Sequence, residues 1–298
     1  MLNQRLETLL CVYETLNFTK ASEILNLTQP AVSQHIKALE NEFKTKIFIR
    51  GEKSLKVTDE GEIIIKYAKR MQNLFNTIPS ALVDFRNNAR HIRIGVTQTA
   101  ELGSLSSMLA KYCLENDGIH ITLISDTINN LYIKLKNYEV DMIIVEGKKQ
   151  DNNFNSILLD TDCLVLAVAN ENPLSKKRVV TMEELKKEKL ILRLPESGTR
   201  ALFEAHLRSV NESLDSFDVI LEVDHIATIK DLVHQNFGVS VLAKSVCYND
   251  VQKNKFAVVS IENLSMIRDI NLIYHKDFES YDIINQIVNL YQEMIRHQ

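Results

Sequence analysis

The sequence predicts an α + α/β chain: an N-terminal winged helix-turn-helix, a long linker helix, and an α/β region of about 200 residues. Three observations predict it. Two short helical patterns joined by a turn occupy 17–43, a seven-residue apolar repeat runs from Ile64 to Phe85, and strand-like and helix-like segments alternate from His91 onward.

Each element follows from its residues. Over 2–16, Leu6, Leu9, Leu10, Tyr13 and Leu16 make one stripe able to pack behind the next two helices. Ala21, Ile24 and Leu25 then sit at helical spacing, as do Val32, Ile36, Leu39 and Phe43 in the following segment, which gives both a core face. Between them Asn26 tolerates the left-handed region, Leu27 is an apolar plug, and Thr28 is an N-cap with Pro30 in the first turn. That is helix-turn-helix grammar. Two strand-like pieces at 46–50 and 55–58 flank Gly51-Glu-Lys-Ser54, so a β wing carries Arg50, Lys53 and Lys56.

Thr58 or Asp59 caps a long helix whose first turn is acidic, as the helix dipole favours. Ile64, Met71, Ile78 and Phe85, with Tyr67, Leu74 and Ala81 three positions after the first three, form an a/d seam. Such a seam meets either a partner helix or its own domain. Pro79 should kink or end the helix. Beyond His91 the expected strands are 92–97, 119–125, 141–146, 163–169, 190–194, 219–223, 239–242, 257–261 and 270–274. Helices are expected at 102–116, 128–137, 182–188, 200–210, 226–235 and 280–296. Alternation of this kind implies parallel α/β layers.

Composition sets limits on function. Hydrophobic residues at 45% support a real core, while only 8 glycines argue against an enzyme with several phosphate cradles. The net charge of −4 is unevenly spread: 1–58 carries eight Lys and Arg against six acids, leaving the rest at −6. A mildly basic module on an acidic body fits a DNA reader, although a difference this small also arises by chance. Cys11, Cys113, Cys163 and Cys247 form no Cys-x-x-Cys pair and read as buried thiols, so neither metal nor disulfide is expected. No targeting or membrane-spanning stretch is apparent, and a cytoplasmic location is expected.

With these elements placed, the chain resembles the LysR-type transcriptional regulators over nearly its full length. Phe18-Thr-Lys-Ala-Ser22, Leu27-Thr-Gln-Pro-Ala-Val-Ser33, Ile36-Lys-Ala-Leu-Glu40, Ile47-Phe-Ile-Arg50 and Val57-Thr-Asp-Glu-Gly61 look like the family's DNA-binding domain in order and spacing. Val140-Asp-Met-Ile-Ile144, Asn172-Pro-Leu-Ser175 and Phe237-Gly-Val-Ser-Val-Leu242 look like its effector-domain landmarks. The resemblance implies a DNA-binding domain at 1–58, a dimerising linker helix at 59–90, and at 91–298 a two-lobed effector domain like periplasmic binding proteins. It places the lobes at 91–162 with 267–298 and at 163–266, with chain crossings near 160–163 and 266–269. A small effector in the cleft, promoter DNA and a homodimer or homotetramer are the implied partners, and no cofactor is implied. Gln34 stands where the family often has a basic residue, Lys53 where its wing often shows Arg, and Ala243 where proline often follows.

On DNA, Gln29, Ser33 and Gln34 are the base-edge candidates because Gln pairs adenine and Ser accepts several partners, while Pro30 and Ala31 could touch a thymine methyl. Thr28, Lys37, Arg50 and Lys53 suit phosphate or minor-groove contacts. For the effector, Pro195-Glu-Ser-Gly-Thr-Arg200 ends a strand and opens a helix, so Ser197, Gly198 and Thr199 form either an anion site or a simple cap. Thr97, Thr99 and Thr127 add donors from the other lobe. Arg200 could clamp a carboxylate or sit in an ion pair, and His225 either contacts ligand or is structural. The Ser-Gly-Thr-Arg run and Asp141-Met-Ile-Ile-Val-Glu-Gly147 resemble the branch answering to small anions or carboxylates in sulfur and carbon assimilation. Two rival readings have weaker support. A metabolic enzyme lacks any recognisable catalytic motif here, and an exported solute-binding protein would not need the N-terminal reader.

Overall fold

The computed structural model describes residues 2–50, 55–278 and 280–296, in two compact units: 1–90 with 136–139, and 91–135 with 140–298. The first unit opens with α1 (Leu2–Thr15), α2 (Phe18–Ile24) and α3 (Gln29–Phe43). Asn17 caps α2 by accepting from the Thr19 and Lys20 N–H groups, Asn26 takes φ 52°, and the Thr28 hydroxyl accepts from Ala31 N to start α3. Leu6, Leu9, Val12, Ala21, Val32, Ile36 and Leu39 meet in one core. Ile24, Phe43 and Leu16 were expected inside but are 62%, 50% and 43% exposed. The first two end their helices and Leu16 turns out at φ 45°, so Val12 and Leu25 take the inward places.

The wing follows as β1 (Phe48–Arg50) and β2 (Leu55–Val57), antiparallel with Arg50 opposite Leu55. Its tip, with Lys53, lies outside the described residues. Glu40 of α3 fixes the wing's root: its buried carboxylate accepts from Ile47 N at 3.0 Å, Phe48 N at 3.5 Å and Lys46 Nζ at 2.8 Å. Next comes α4 (Asp59–Asn87), 29 residues capped by Thr58, whose hydroxyl also reaches back to the Lys46 carbonyl. This junction is tight. A Cβ at Gly61 would lie 2.4 Å from the Ile47 carbonyl oxygen, so Gly61→Ala should lower the unfolding free energy by about 1–3 kcal/mol. Urea melts followed by circular dichroism would show it, and an unmoved midpoint would contradict the close approach.

Pro79 does not end α4, which continues to Asn87. The missing N–H costs one ladder bond without breaking the helix, and Thr77 and Ser80 hydroxyls donate to the Leu74 and Thr77 carbonyls nearby. Tyr67, Met71, Leu74, Phe75, Ile78, Leu82 and Phe85 are exposed along one side, a band wider than the a/d seam alone.

The second unit begins with β3 (Arg90–Val96), followed by α5 (Gln98–Ala100), a π-helical turn (Glu101–Leu105) and α6 (Ser106–Glu115). Gly103, at ψ −165°, interrupts what the sequence predicts as one helix over 102–116. Then come β4 (Ile119–Ser125), α7 (Ile128–Lys136), β5 (Met142–Glu146), the 16-residue β6 (Phe154–Ala169), β7 (Val179–Val180), α8 (Met182–Leu185) and β8 (Lys189–Arg193). The chain continues through α9 (Gly198–Ser209), β9 (Asp218–Val223), α10 (Ile226–His234), β10 (Ser240–Ala243), α11 (Lys244–Gln252), β11 (Phe256–Ile261), β12 (Ile267–His275) and α12 (Tyr281–Arg296).

Parallel layers are only part of the result. β3 and β5 are parallel, as are β8 and β9, but β12 is antiparallel to both β5 and β6, and β10 and β11 are antiparallel to β6. The sheet is mixed because β6 and β12 run side by side, from Ile267 opposite Cys163 to His275 opposite Phe154. The sequence reading placed no strand over 154–162, where no apolar/polar alternation marks one, and no helix over 244–252. Two main apolar clusters flank this ribbon. One gathers Ile92, Ile94, Ile144, Leu272 and the inward face of α12, including Ile287. The other gathers Leu166, Leu190, Phe203, Ile229, Val241 and Phe256.

Candidate functional site

Two surfaces collect the residues singled out in the sequence. The first is the start of α3. Thr28, Gln29, Pro30, Gln34 and Lys37 are exposed there, Ala31 and Ser33 half-buried, and Gln29 Nε2 donates to Ser33 Oγ at 3.2 Å. Val32, Ile36 and Leu39 face inward, which fixes those polar residues on the outer side. Arg50 closes β1 on the wing.

The second is a cavity of about 350 Å³ in the second unit. It opens at the C-terminal ends of β3, β4, β5, β8 and β9, where an α/β layer presents its loops to a ligand. Thr97, Thr99, Thr127, Ser197, Gly198 and Thr199 all line it. Several are held by their neighbours. Thr97 donates to Glu146 Oε1 at 3.0 Å and accepts from Ala100 N, and Ser197 caps α9 by accepting from Arg200 N. The Thr199 hydroxyl accepts from the Arg268 guanidinium at 3.3 Å.

Two predicted residues fall elsewhere. Arg200 does not line the cavity, because its guanidinium is committed to Glu204, to Glu222 at 2.8 Å and to the Arg193 carbonyl at 3.1 Å. His225 is exposed at the start of α10, and its neighbour Asp224 lines the cavity instead.

The charged residues of the site escaped the sequence reading. Arg193, last in β8 and only 7% exposed, lines the cavity with one guanidinium nitrogen 3.5 Å from Asp224 and its Nε without a partner. Burial pushes its pKa below the usual arginine value, opposed by the nearby Asp224 carboxylate. Behind the cavity, Arg268 of β12 is buried between Asp162 of β6 at 3.3 Å and Glu146 of β5 at 3.6 Å. Asp162 also accepts from the Ser245 hydroxyl at 2.9 Å. A charged residue ending an otherwise apolar run, as in Lys189-Leu-Ile-Leu-Arg193, was the available signal.

Cys11 and Cys247 are buried while Cys113 and Cys163 are half-buried, and burial pushes the Cys247 thiol up to about 12. Among the described residues no group of three His, Cys, Asp or Glu could hold a metal ion, and no helix is long and apolar enough to cross a membrane.

Comparison with known proteins decides the family. Residues 3–62 match the bacterial regulatory helix-turn-helix model of the lysR family, and residues 86–294 match the LysR substrate binding domain. The chain belongs to the LysR-type transcriptional regulator family. It is therefore a DNA-binding transcriptional regulator with an effector-binding domain, in a family of regulators rather than enzymes. Relatives of this regulator include the HTH-type transcriptional regulator CysL of Bacillus subtilis, 26% identical over 90% of this chain and 89% of that protein. A probable RuBisCO transcriptional regulator of Phaeodactylum tricornutum is 24% identical over 93% of this chain and 91% of its own. Among solved structures, full-length CbnR complexed with its target DNA superimposes with a TM-score of 0.68 at 15% identity, covering 98% of this chain and 99% of that one.

Proposed function

We propose that the regulator reads an operator through the outer face of α3 and that a small anionic or carboxylate-bearing effector in the cavity modulates DNA binding or bending. On this reading the division into reader, linker helix and two lobes follows the boundaries expected from the sequence. Gln29, Ser33 and Gln34 meet base edges, Pro30 and Ala31 lie against them, and Thr28, Lys37, Arg50 and Lys53 contact phosphate or the minor groove. The exposed apolar band of α4 pairs with a second copy, which sets two readers on successive half-sites.

The observation that carries the effector reading is Arg193: a buried cation lining the cavity, beside the first turn of the 12-residue α9. Ser197 and Thr199 add hydroxyls at the same helix start. Titration with sulfate, sulfite, thiosulfate and short carboxylates is expected to raise the melting temperature, and Thr199→Val to weaken the response. No response from the wild type to any of them would end the anion reading.

For DNA, Gln29→Ala with Ser33→Ala should weaken operator binding about tenfold or more, because a good side-chain pair to a base edge is worth about 1–3 kcal/mol. Lys37→Ala should weaken all sequences alike and flatten the salt dependence. Gel-shift titration against operator and scrambled duplexes separates these outcomes. Unchanged operator affinity of the double variant would remove α3 as the reading helix.

A further inference from the structure

The cavity is lined by one guanidinium and four carboxylates: Arg193 against Asp126, Glu146, Glu196 and Asp224. Acidic side chains thus outnumber basic ones around the cavity, with Asp126 paired to Lys134 and Glu146 to Arg268. The four acids are not equivalent. Asp126 is occupied by Lys134 at 3.7 Å, by Asn130 and by the Thr127 N–H, and Glu196 is exposed at the rim.

Glu146 differs in being buried, and Asp224, although exposed like Glu196, sits beside Arg193. Glu146 is buried, and its Oε1 is shared by the Thr97 hydroxyl at 3.0 Å and Arg268 at 3.6 Å, while no described residue donates to its Oε2. Asp224 meets Arg193 only at the long distance of 3.5 Å, leaving its other oxygen without a described partner. These are two acceptors on opposite strands of the same cavity, close to a cation whose own Nε lacks an acceptor. A buried guanidinium nitrogen without an acceptor, a buried carboxylate at Glu146 and a solvent-facing one at Asp224 in one cavity suit a ligand carrying both signs.

Resting on the anion-anchor reading above, we propose that the effector is a zwitterion of the α-amino-acid class. Its carboxylate lies on Arg193 and the start of α9, and its ammonium group donates to Glu146 and Asp224. A cavity of about 350 Å³ falls at the small end of ligand pockets, which suits a molecule of that size.

The test is a calorimetric and melting-temperature panel on the full-length protein. The probes are the twenty α-amino acids, the 2-hydroxy acids matching alanine, serine and aspartate, sulfate, acetate and ethanolamine. At least one amino acid is expected to bind, and the matching 2-hydroxy acid, prepared for that amino acid if it is not already in the set, about tenfold more weakly, the scale of a lost charged hydrogen bond. Asp224→Asn and Glu146→Gln should each bring the two affinities within about threefold. Asp224 is half-exposed at its side chain, so its variant keeps the test open if the Glu146 variant fails to fold. Equal binding of the hydroxy acid, or binding of sulfate or acetate with no amino acid, would overturn the zwitterion and leave the anion anchor standing. Ethanolamine binding as well as the amino acid would overturn the anchor itself. No binding by any of the twenty overturns the proposal.

Discussion

Arg268→Met is expected to lower the unfolding free energy of the effector domain by about 3–5 kcal/mol, the scale for removing one partner of a buried ion pair. The reason is the company Arg268 keeps. It lies between two buried carboxylates, Asp162 and Glu146, and also donates to Thr199 at 3.3 Å. Without it, two buried negative charges face each other across a space filled by an apolar side chain. Restoring charge balance with Asp162→Asn in the Arg268→Met background should return part of the loss, since only one acid then stays uncompensated. Urea denaturation of the single and double variants measures both effects. A loss under about 1 kcal/mol for the single change would mean that solvent reaches the acids on substitution.

Glu40→Ala has the second largest expected effect, a loss of about 2–4 kcal/mol in the DNA-binding unit. The carboxylate is the acceptor for Ile47 N at 3.0 Å and Phe48 N at 3.5 Å at the root of the wing. Removing it strands a buried donor where Ile47 is fully enclosed. Glu40→Gln keeps an acceptor oxygen and should recover much of the loss. Lys46→Ala should change little, because the Lys46 side chain is 71% exposed although its ammonium sits 2.8 Å from Glu40. Equal losses for Glu40→Gln and Lys46→Ala would shift the weight from the backbone donors to the ion pair. Protection of the wing amides in hydrogen exchange would register the same ordering.

Legibility in the sequence followed how local the determining physics is. The turn at Asn26, the Thr28 cap and the inward set Val32, Ile36 and Leu39 are short-range decisions, and the fold keeps them. The hydroxyl ring of the cavity was legible for a similar reason, since Thr97 and Ser197 are caps that mark strand ends. Pro79 misled because a single missing donor does not outweigh 29 residues of helix. Of the charged members of the site, only Arg193 left a local signal, at the end of the apolar run 189–193. Glu146, Asp162 and Arg268 meet through the pairing of β12 with β5 and β6, across 106 residues from Asp162 to Arg268 and more from Glu146, and Arg193 reaches the cavity from the separate β8–β9 pair. The strand over 154–162 was missed on the same ground: its partner, β12, arrives more than a hundred residues later.

The ribbon of β6 and β12 also bears on how the effector domain can flex. Chains that pass between lobes as separate loops can swing about a few free torsions. Here β6 and β12, the crossings on the two-lobed reading proposed above, are hydrogen-bonded to each other along nine paired positions, with one register shift at Ile270 and Asn271. Such a ladder is stiff to shear and yields by twisting or bending at its irregular point. On that two-lobed reading, closure would bend this ladder at the shift between Ile270 and Asn271, two residues from the buried Arg268.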